Sequence, residues 1–267
     1  MIPKRIHYIW FGERDIPDNL KKYMSSWNIL KNKGYEICCW NEKNLPIDKA
    51  PAVVQAALKL KKYAFAADYF RLRGLYESGG IYFDTDIEVK KDFAELLNTG
   101  LLLGFIYDAS IGTAVIGAEK ENSLIKSLID LYETADYEYN DLNKEFLIKF
   151  KMFPNYKLIN NNDLLTGYFL KCVSDFHLNG KEQHIGNISI YPKEYFEGYT
   201  FNKDNDYTVH HCDGSWRNKN SKRNQLKLIL EKFTLIWTIR DIYVRRKMNM
   251  YLPYTKQYLE EIGKCDY

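Results

Sequence analysis

A glycine pair, Gly79-Gly80, separates a long helical stretch from the short aromatic run Ile81-Tyr82-Phe83. Adjacent glycines end a helix and restart the chain in another conformation. Upstream, the apolar run Ile6-His7-Tyr8-Ile9-Trp10-Phe11 stops at Gly12 and reads as a buried strand. A helical pattern from Asn19 to Leu30 ends at Gly34, and Tyr35-Glu36-Ile37-Cys38-Cys39-Trp40 makes a second strand. Strand, helix, strand, helix, strand is the order of a mostly parallel sheet, because parallel neighbours need a crossover connection. The chain has 267 residues, 46% hydrophobic and 27% charged. It is long enough for one large α/β domain and too apolar for a disordered chain.

The helical stretch runs from about Pro51 to Ser78. Ala64, Ala67, Asp68, Arg71 and Leu75 share one face of it, and two charges on an alanine-rich face do not suit a plain core helix. Leu101 to Ile106 and Ala114 to Gly117 read as further strands, and Ser123 to Glu133 as a helix capped by Ser123. Ile188-Ser189-Ile190-Tyr191 and Tyr207-Thr208-Val209-His210-His211 are late strands. From Asn224 to about Met248 the pattern is helical, while Ala135 to Asn162, rich in Tyr, Asn and Lys, has no clear period. Five cysteines without a C-x-x-C argue against a disulfide scaffold or a zinc cluster. The N-terminus is too polar for a signal peptide and no run of about 18 apolar residues is present, so the expected location is cytoplasmic.

The chemistry centres on Asp84-Thr85-Asp86, directly after the strand Ile81-Tyr82-Phe83. Ligands of open α/β sheets bind at the C-terminal ends of strands. Two carboxylates meeting in a turn suit Mg²⁺ or Mn²⁺, which in turn holds a diphosphate. A lone D-x-D is often only an acidic strand end. Here the glycine pair, the aromatic strand, and Asp68 and Arg71 on the preceding helix make the signal more specific.

The segment from Ala67-Asp68-Tyr69-Phe70-Arg71 to Asp84-Thr85-Asp86 resembles the D-x-D core of glycosyltransferase family 32. It is similar, more distantly, to the glucosylating domains of large clostridial toxins. Ile2 to Gly12 resembles that family's opening strand, and His210-His211-Cys212-Asp213-Gly214-Ser215-Trp216 resembles its closing H-H-x-x-x-S-W motif. Leu165-Thr166-Gly167 is a weaker match, with Tyr168 where the family has proline. The resemblance implies a GT-A fold, a single Rossmann-like sandwich over residues 1–216. Residues 217–267 would add a basic helical extension packed on that domain. It also implies a retaining, Mn²⁺- or Mg²⁺-dependent hexosyltransferase using a nucleotide sugar. UDP-galactose or UDP-glucose is favoured over GDP-mannose, with an acceptor saccharide of surface or capsular polysaccharide. Carried over by residue, Asp86 and His211 would ligate the metal. Asp84 would contact the donor or a metal-bound water, and Asp68 and Arg71 would grip sugar hydroxyls and phosphate. Trp10 would flank the base, Trp216 would close over the diphosphate, and Asp163 would reach the donor sugar or the acceptor. The leaving phosphate, and no named protein base, would help deprotonate the acceptor.

Each residue has a plainer reading. Asp84 and Asp86 read as solvated turn carboxylates, and Trp10 as core packing. Asp68 and Arg71 read as a surface ion pair contributing about 0–1 kcal/mol. His211 reads as a hydrogen-bonded structural histidine, with His210 facing the other way as structural in either case. A metal-dependent phosphoester hydrolase is the rival activity, and it would need a richer cluster of carboxylates.

Charge is uneven along the chain. Residues 215–250 carry ten basic side chains against Glu231 and Asp241, a net +8, which leaves −5 for the rest of a chain totalling +3. No nucleic-acid motif accompanies this. The tail has two open readings: packing on the domain, and salt-sensitive peripheral contact with the inner face of the plasma membrane near a lipid-linked acceptor.

Overall fold

The computed structural model describes residues 1–154, 160–198, 205–213 and 234–264. Its strands are β1 (Arg5–Ile9), β2 (Glu36–Trp40), β3 (Gly80–Phe83), β4 (Ile87–Val89), β5 (Leu101–Tyr107), β6 (Ser110–Ile111), β7 (Val115–Ala118), β8 (Asp136–Asn140), β9 (Glu145–Lys149), β10 (Gln183–Ile185), β11 (Ile188–Tyr191) and β12 (Thr208–His210). The central sheet has the order β10-β11-β5-β7-β3-β1-β2, with β6 beside β5. β1 pairs in parallel with β2 and β3, and β11 with β5, whereas β7 is antiparallel to both β3 and β5. Of the seven strands on that path only β7 and β10 run against the rest, so the sheet is mostly parallel. The strand-end residues Ile9, Trp40, Phe83 and Tyr107 therefore share one edge, and β7 brings its own start to that edge.

Both faces of the sheet are buried, and the sequence alternates accordingly. Leu101, Leu103, Phe105, Tyr82 and Ile116 join one core with helices α3 (Ala52–Lys59), α4 (Tyr63–Ser78) and α5 (Ser123–Glu133). Leu102, Ile81, Phe83 and Val115 join a second core on the opposite face. There they meet Trp27 and Leu30, next to or within the short helices α1 (Asp18–Ser25) and α2 (Asn28–Lys31), and Phe196 of α7 (Lys193–Phe196). This layout is the α/β sandwich the sequence predicts.

Local differences have local causes. The single helix expected from Pro51 to Ser78 is two, because Lys61 turns to φ 57° and closes α3. The helix expected from Asn19 to Leu30 breaks before Trp27, whose indole N–H donates to the Ile87 carbonyl at 2.8 Å. Asn122, not Ser123, caps α5, its side chain accepting the N–H groups of Leu124 and Ile125. The unassigned stretch after Ala135 holds the β8–β9 hairpin. Leu165-Thr166-Gly167 is no loop. It lies inside helix α6 (Asn161–Cys172), where a Cβ on Gly167 would stand 2.1 Å from the Tyr254 hydroxyl.

The glycine pair does more than stop α4. Gly80 has φ +123°, and a Cβ there would sit 2.6 Å from the Arg5 carbonyl and 2.9 Å from His7 Nε2. Gly80→Ala is expected to cost about 1–3 kcal/mol from backbone strain alone. At about 2–4 °C per kcal/mol for a domain of this size, a thermal melt checks it, and an unchanged melting temperature would refute the packing argument.

Candidate active site

The D-x-D turn is built by the ends of three strands. The Asp84 N–H donates to the Ala114 carbonyl at 2.9 Å, which ties the end of β3 to the start of β7. The Ile87 N–H donates back to the Asp84 carbonyl at 3.1 Å and closes the turn through Thr85 and Asp86. β4 then pairs antiparallel with β12, setting Ile87 opposite His210. The Asp213 N–H donates to Asp86 Oδ2 at 2.8 Å and the His211 N–H to the Asp86 carbonyl at 3.1 Å. A segment more than 120 residues away in sequence thus clamps the turn.

One ligand atom each from Asp84, Asp86 and His210 lies within 4.8 Å of the others. Two carboxylate oxygens and an imidazole nitrogen make a mixed donor set that fits a divalent cation such as Mn²⁺, and the imidazole makes it less suited to Mg²⁺. The charges around the group are arranged for this. Burial works against ionised Asp86, yet the charge and hydrogen bond of His210 and the Asp213 N–H outweigh it and hold Asp86 at about 2. Burial raises Asp84, with Arg71 pulling the other way. Burial lowers His210, but its acidic neighbours Cys212, Glu197 and Asp86 and the hydrogen bond to Asp86 hold it well above its usual range. A divalent cation held by these three residues would supply the positive charge that the His210 proton otherwise provides.

Arg71 stands behind the acidic pair. Its guanidinium lies 2.7 Å from Asp68 Oδ1 and 3.5 Å from Asp84 Oδ1, donates to the Thr113 carbonyl at 2.6 Å, and packs on the Tyr82 ring at 4.5 Å. Only 6% of it is exposed. The surface ion pair with little effect on stability is therefore not what the fold contains. Arg71 is a buried cation holding two aspartates, with its Nε buried and without a hydrogen-bond partner. Asp68 is pushed up to about 7 by burial, with Arg71 opposing and Asp84 adding to the rise.

The two histidines face the opposite way from the sequence expectation. His211, expected as a metal ligand, points away: its Nε2 meets Glu88 Oε2 at 2.8 Å and its ring stacks on Tyr23 at 3.7 Å between centroids. Its hydrogen bond is the main cause holding Glu88 at about 2. His210, expected to be structural, faces Asp84 and Asp86. Trp10 is half-buried just after β1 at the ligand edge, its indole N–H donating to the Arg14 carbonyl at 2.6 Å. Asp163 is buried in the first turn of α6, where burial pushes it up to about 6. Trp216 and residues 217–233 lie outside the described residues.

Several site residues escaped the sequence reading. Thr113 offers its carbonyl to Arg71 and its hydroxyl to Asn162 Oδ1 at 2.7 Å. Asn161 lies against Asp68, where its side-chain amide opposes the rise that burial imposes on the carboxyl. Glu197, 1% exposed, has a carboxylate oxygen 2.7 Å from His210 Nδ1. The cluster Asn160-Asn161-Asn162-Asp163 before an apolar helix was a capping signal in plain view. Nothing local marks Glu197.

The profile of the family described as "Glycosyltransferase sugar-binding region containing DXD motif" matches residues 17–101. The uncharacterized glycosyltransferase L373 of Acanthamoeba polyphaga mimivirus is 36% identical over 115 residues, 41% of this chain and 43% of that protein. Subversion of eukaryotic traffic protein A of Legionella pneumophila is 27% identical over 165 residues, 50% of this chain and 25% of that protein. The chain thus spans less than half the length of either relative. Among solved structures, PaToxG glycosyltransferase aligns with TM-score 0.39 at 22% identity, over 49% of this chain and 60% of that one. The glycosyltransferase GlyE of Streptococcus pneumoniae TIGR4 aligns with TM-score 0.39 at 12% identity, over 97% and 64%.

The raised Asp68 has a consequence for stability. A carboxyl raised from 3.8 in the unfolded chain to about 7 when folded costs nothing below pH 4, where both states hold the proton. The cost grows as pH rises and is complete above pH 7. Removing the Asp68 carboxylate also uncovers the buried Arg71, a cost that does not vary over this range, so the melting temperature of Asp68→Asn is expected to rise relative to the parent between pH 4.5 and pH 7.5. Equal differences at both pH values would overturn the burial argument.

Proposed function

We propose, from the match of residues 17–101 to the DXD sugar-binding region of glycosyltransferases, that this protein transfers a hexosyl group from a nucleotide sugar to a saccharide acceptor, with retention of anomeric configuration. The observation that carries this reading is the convergence of Asp84, Asp86 and His210 at the strand-end edge of the sheet. Mn²⁺ is the preferred cofactor because the set includes an imidazole, with Mg²⁺ second. UDP-galactose or UDP-glucose is the proposed donor, and an oligosaccharide of a surface polysaccharide the proposed acceptor. Both choices rest on the bacterial members of the family the sequence resembles.

When bound, the cation neutralises the donor diphosphate and the negative charge that grows on it as the glycosyl bond breaks. The protein does the rest. Asp86, ionised throughout the neutral range, presents a fixed negative charge. Arg71 keeps Asp84 in place from behind and shares Asp68, so the acidic group stays assembled in the free protein. Asp68, with the Asn161 amide against it, offers an acceptor for sugar hydroxyls. Trp10 flanks the base. The departing phosphate, leaving on the face the acceptor approaches, accepts the acceptor hydroxyl's proton. Asp86→Ala and His210→Ala are expected to lower transfer by a factor of 100 or more while the fold survives. The assay is release of nucleotide from a panel of donors with Mn²⁺ or chelator. Full activity of His210→Ala would return the metal role to His211, and full activity in chelator would sink the metal reading.

We further propose a peripheral location at an anionic membrane face. No described helix is long and apolar enough to cross a membrane. The C-terminal helix Thr234–Met248 buries Thr238 and Arg245 against the body and leaves Ile239 and Tyr243 56% and 65% exposed, with Arg246 and Lys247 beside them. An outward face of apolar and basic side chains suits a lipid headgroup region, at about 1 kcal/mol per basic residue. The protein is expected to sediment with anionic vesicles at low salt and to release at high salt. Arg246→Glu with Lys247→Glu should abolish this, and no sedimentation at low salt would refute it.

A further inference from the structure

The helix Thr234–Met248 is joined to the cation site by an unbroken chain of buried polar contacts. Arg245, with an 8% exposed side chain, is its outer member. Its Nε donates to Asp241 Oδ2 at 2.8 Å, one turn back on the same helix. Its Nη1 donates to the Ile106 carbonyl at 2.9 Å, next to the end of β5, and its Nη2 donates to the Glu197 carbonyl. The same guanidinium lies 3.9 Å from the Glu197 carboxylate, which has a 2% exposed side chain. Glu197 Oε2 is 2.7 Å from His210 Nδ1, and His210 Nε2 is 3.5 Å from Asp86 Oδ1.

The surroundings are shaped to admit these groups. A Cβ on Gly112 would stand 2.6 Å from Glu197 Oε1, and one on Gly198 would stand 2.4 Å from Asp241 Oδ2 and 3.0 Å from Arg245 Nε. Any side chain at either position would displace a member of the chain. The helix is pinned again one residue beyond its end, where Asn249 accepts from the Ala109 N–H at 3.1 Å and donates to Asp108 Oδ2 at 2.9 Å.

A buried carboxylate against one imidazole nitrogen has a specific effect. It accepts the Nδ1–H, fixes the ring orientation, and leaves the Nε2 lone pair aimed at the carboxylates. A buried carboxylate also needs its own partners, since an uncompensated buried charge is strongly unfavourable. Here the partner comes from a helix that otherwise takes no part in the site. We infer that Glu197 is the positioning residue of His210, and that Arg245, held by Asp241, keeps Glu197 in place, so that the helix Thr234–Met248 is a structural part of the cation site. The inference rests on Asp84, Asp86 and His210 forming that site.

The test is Mn²⁺ affinity of the full chain, measured by titration calorimetry or by loss of the free Mn²⁺ resonance signal, with thermal melts as the folding control. His210→Ala is the reference. Glu197→Gln is expected to weaken Mn²⁺ binding about 10-fold or more, the usual loss for a partner of a metal-bound histidine. The double variant is expected to bind no more weakly than His210→Ala alone, because Glu197 acts only through His210. Arg245→Lys and Asp241→Asn should each weaken Mn²⁺ several-fold. Asp241→Asn serves as the measurement of record if Glu197→Gln does not fold. Parent-like Mn²⁺ affinity in folded Glu197→Gln, or in folded Asp241→Asn where that is the measurement of record, would overturn the inference, as would additive losses in the double variant. If His210→Ala itself binds Mn²⁺ like the parent, the cation-site reading fails instead, so the two failures are distinguishable.

Discussion

The buried guanidinium of Arg71 is the interaction on which the site depends. Asp68, Asp84 and Asp86 crowd into a few ångströms at the edge of a hydrophobic sheet, where burial alone drives the first two toward their protonated forms. A cation placed beside them by helix α4 reduces that penalty. Its own burial is made tolerable by the Thr113 carbonyl and the Tyr82 ring. The charge is carried on the inward face of α4, the face a helix normally reserves for leucine.

From that centre the fold reads as two clamps on one turn. α4 and β3, joined through the glycine pair, deliver Arg71 and the D-x-D. β4 and β12 deliver His210 and the backbone donors of His211 and Asp213. The turn is thereby fixed from both sides before any ligand arrives, so ligand binding need not supply the energy of ordering it. Part of that order is held against the unfavourable burial of Asp68 and Asp84.

The orientation of His210 and His211 depends on more than their place in the sequence. Alternation along a strand makes certain that the two face opposite ways. Which of them faces the aspartates depends on register, and register is set by Ile87 lying opposite His210 across an antiparallel pair. A shift of one residue would reverse both rings. Glu197 was invisible for a related reason: it belongs to no motif, and only the packing of α7 under β12 brings it to the imidazole.

The sequence by itself determined the sandwich. Apolar runs, glycine stops and helical spacing are local, and each is enough to name an element and, with the crossover rule, to make the sheet mostly parallel. It also marked Asp84 and Asp86, because a strand end is a local event. What only the tertiary structure decided are the pairings across long stretches of chain: which histidine meets the carboxylates, that Arg71 is enclosed rather than exposed, and that a C-terminal helix reaches the site through Arg245 and Glu197. Those depend on register, burial and the meeting of side chains from distant elements. These are set by the free energy of the whole packed chain and leave no periodic trace in its letters.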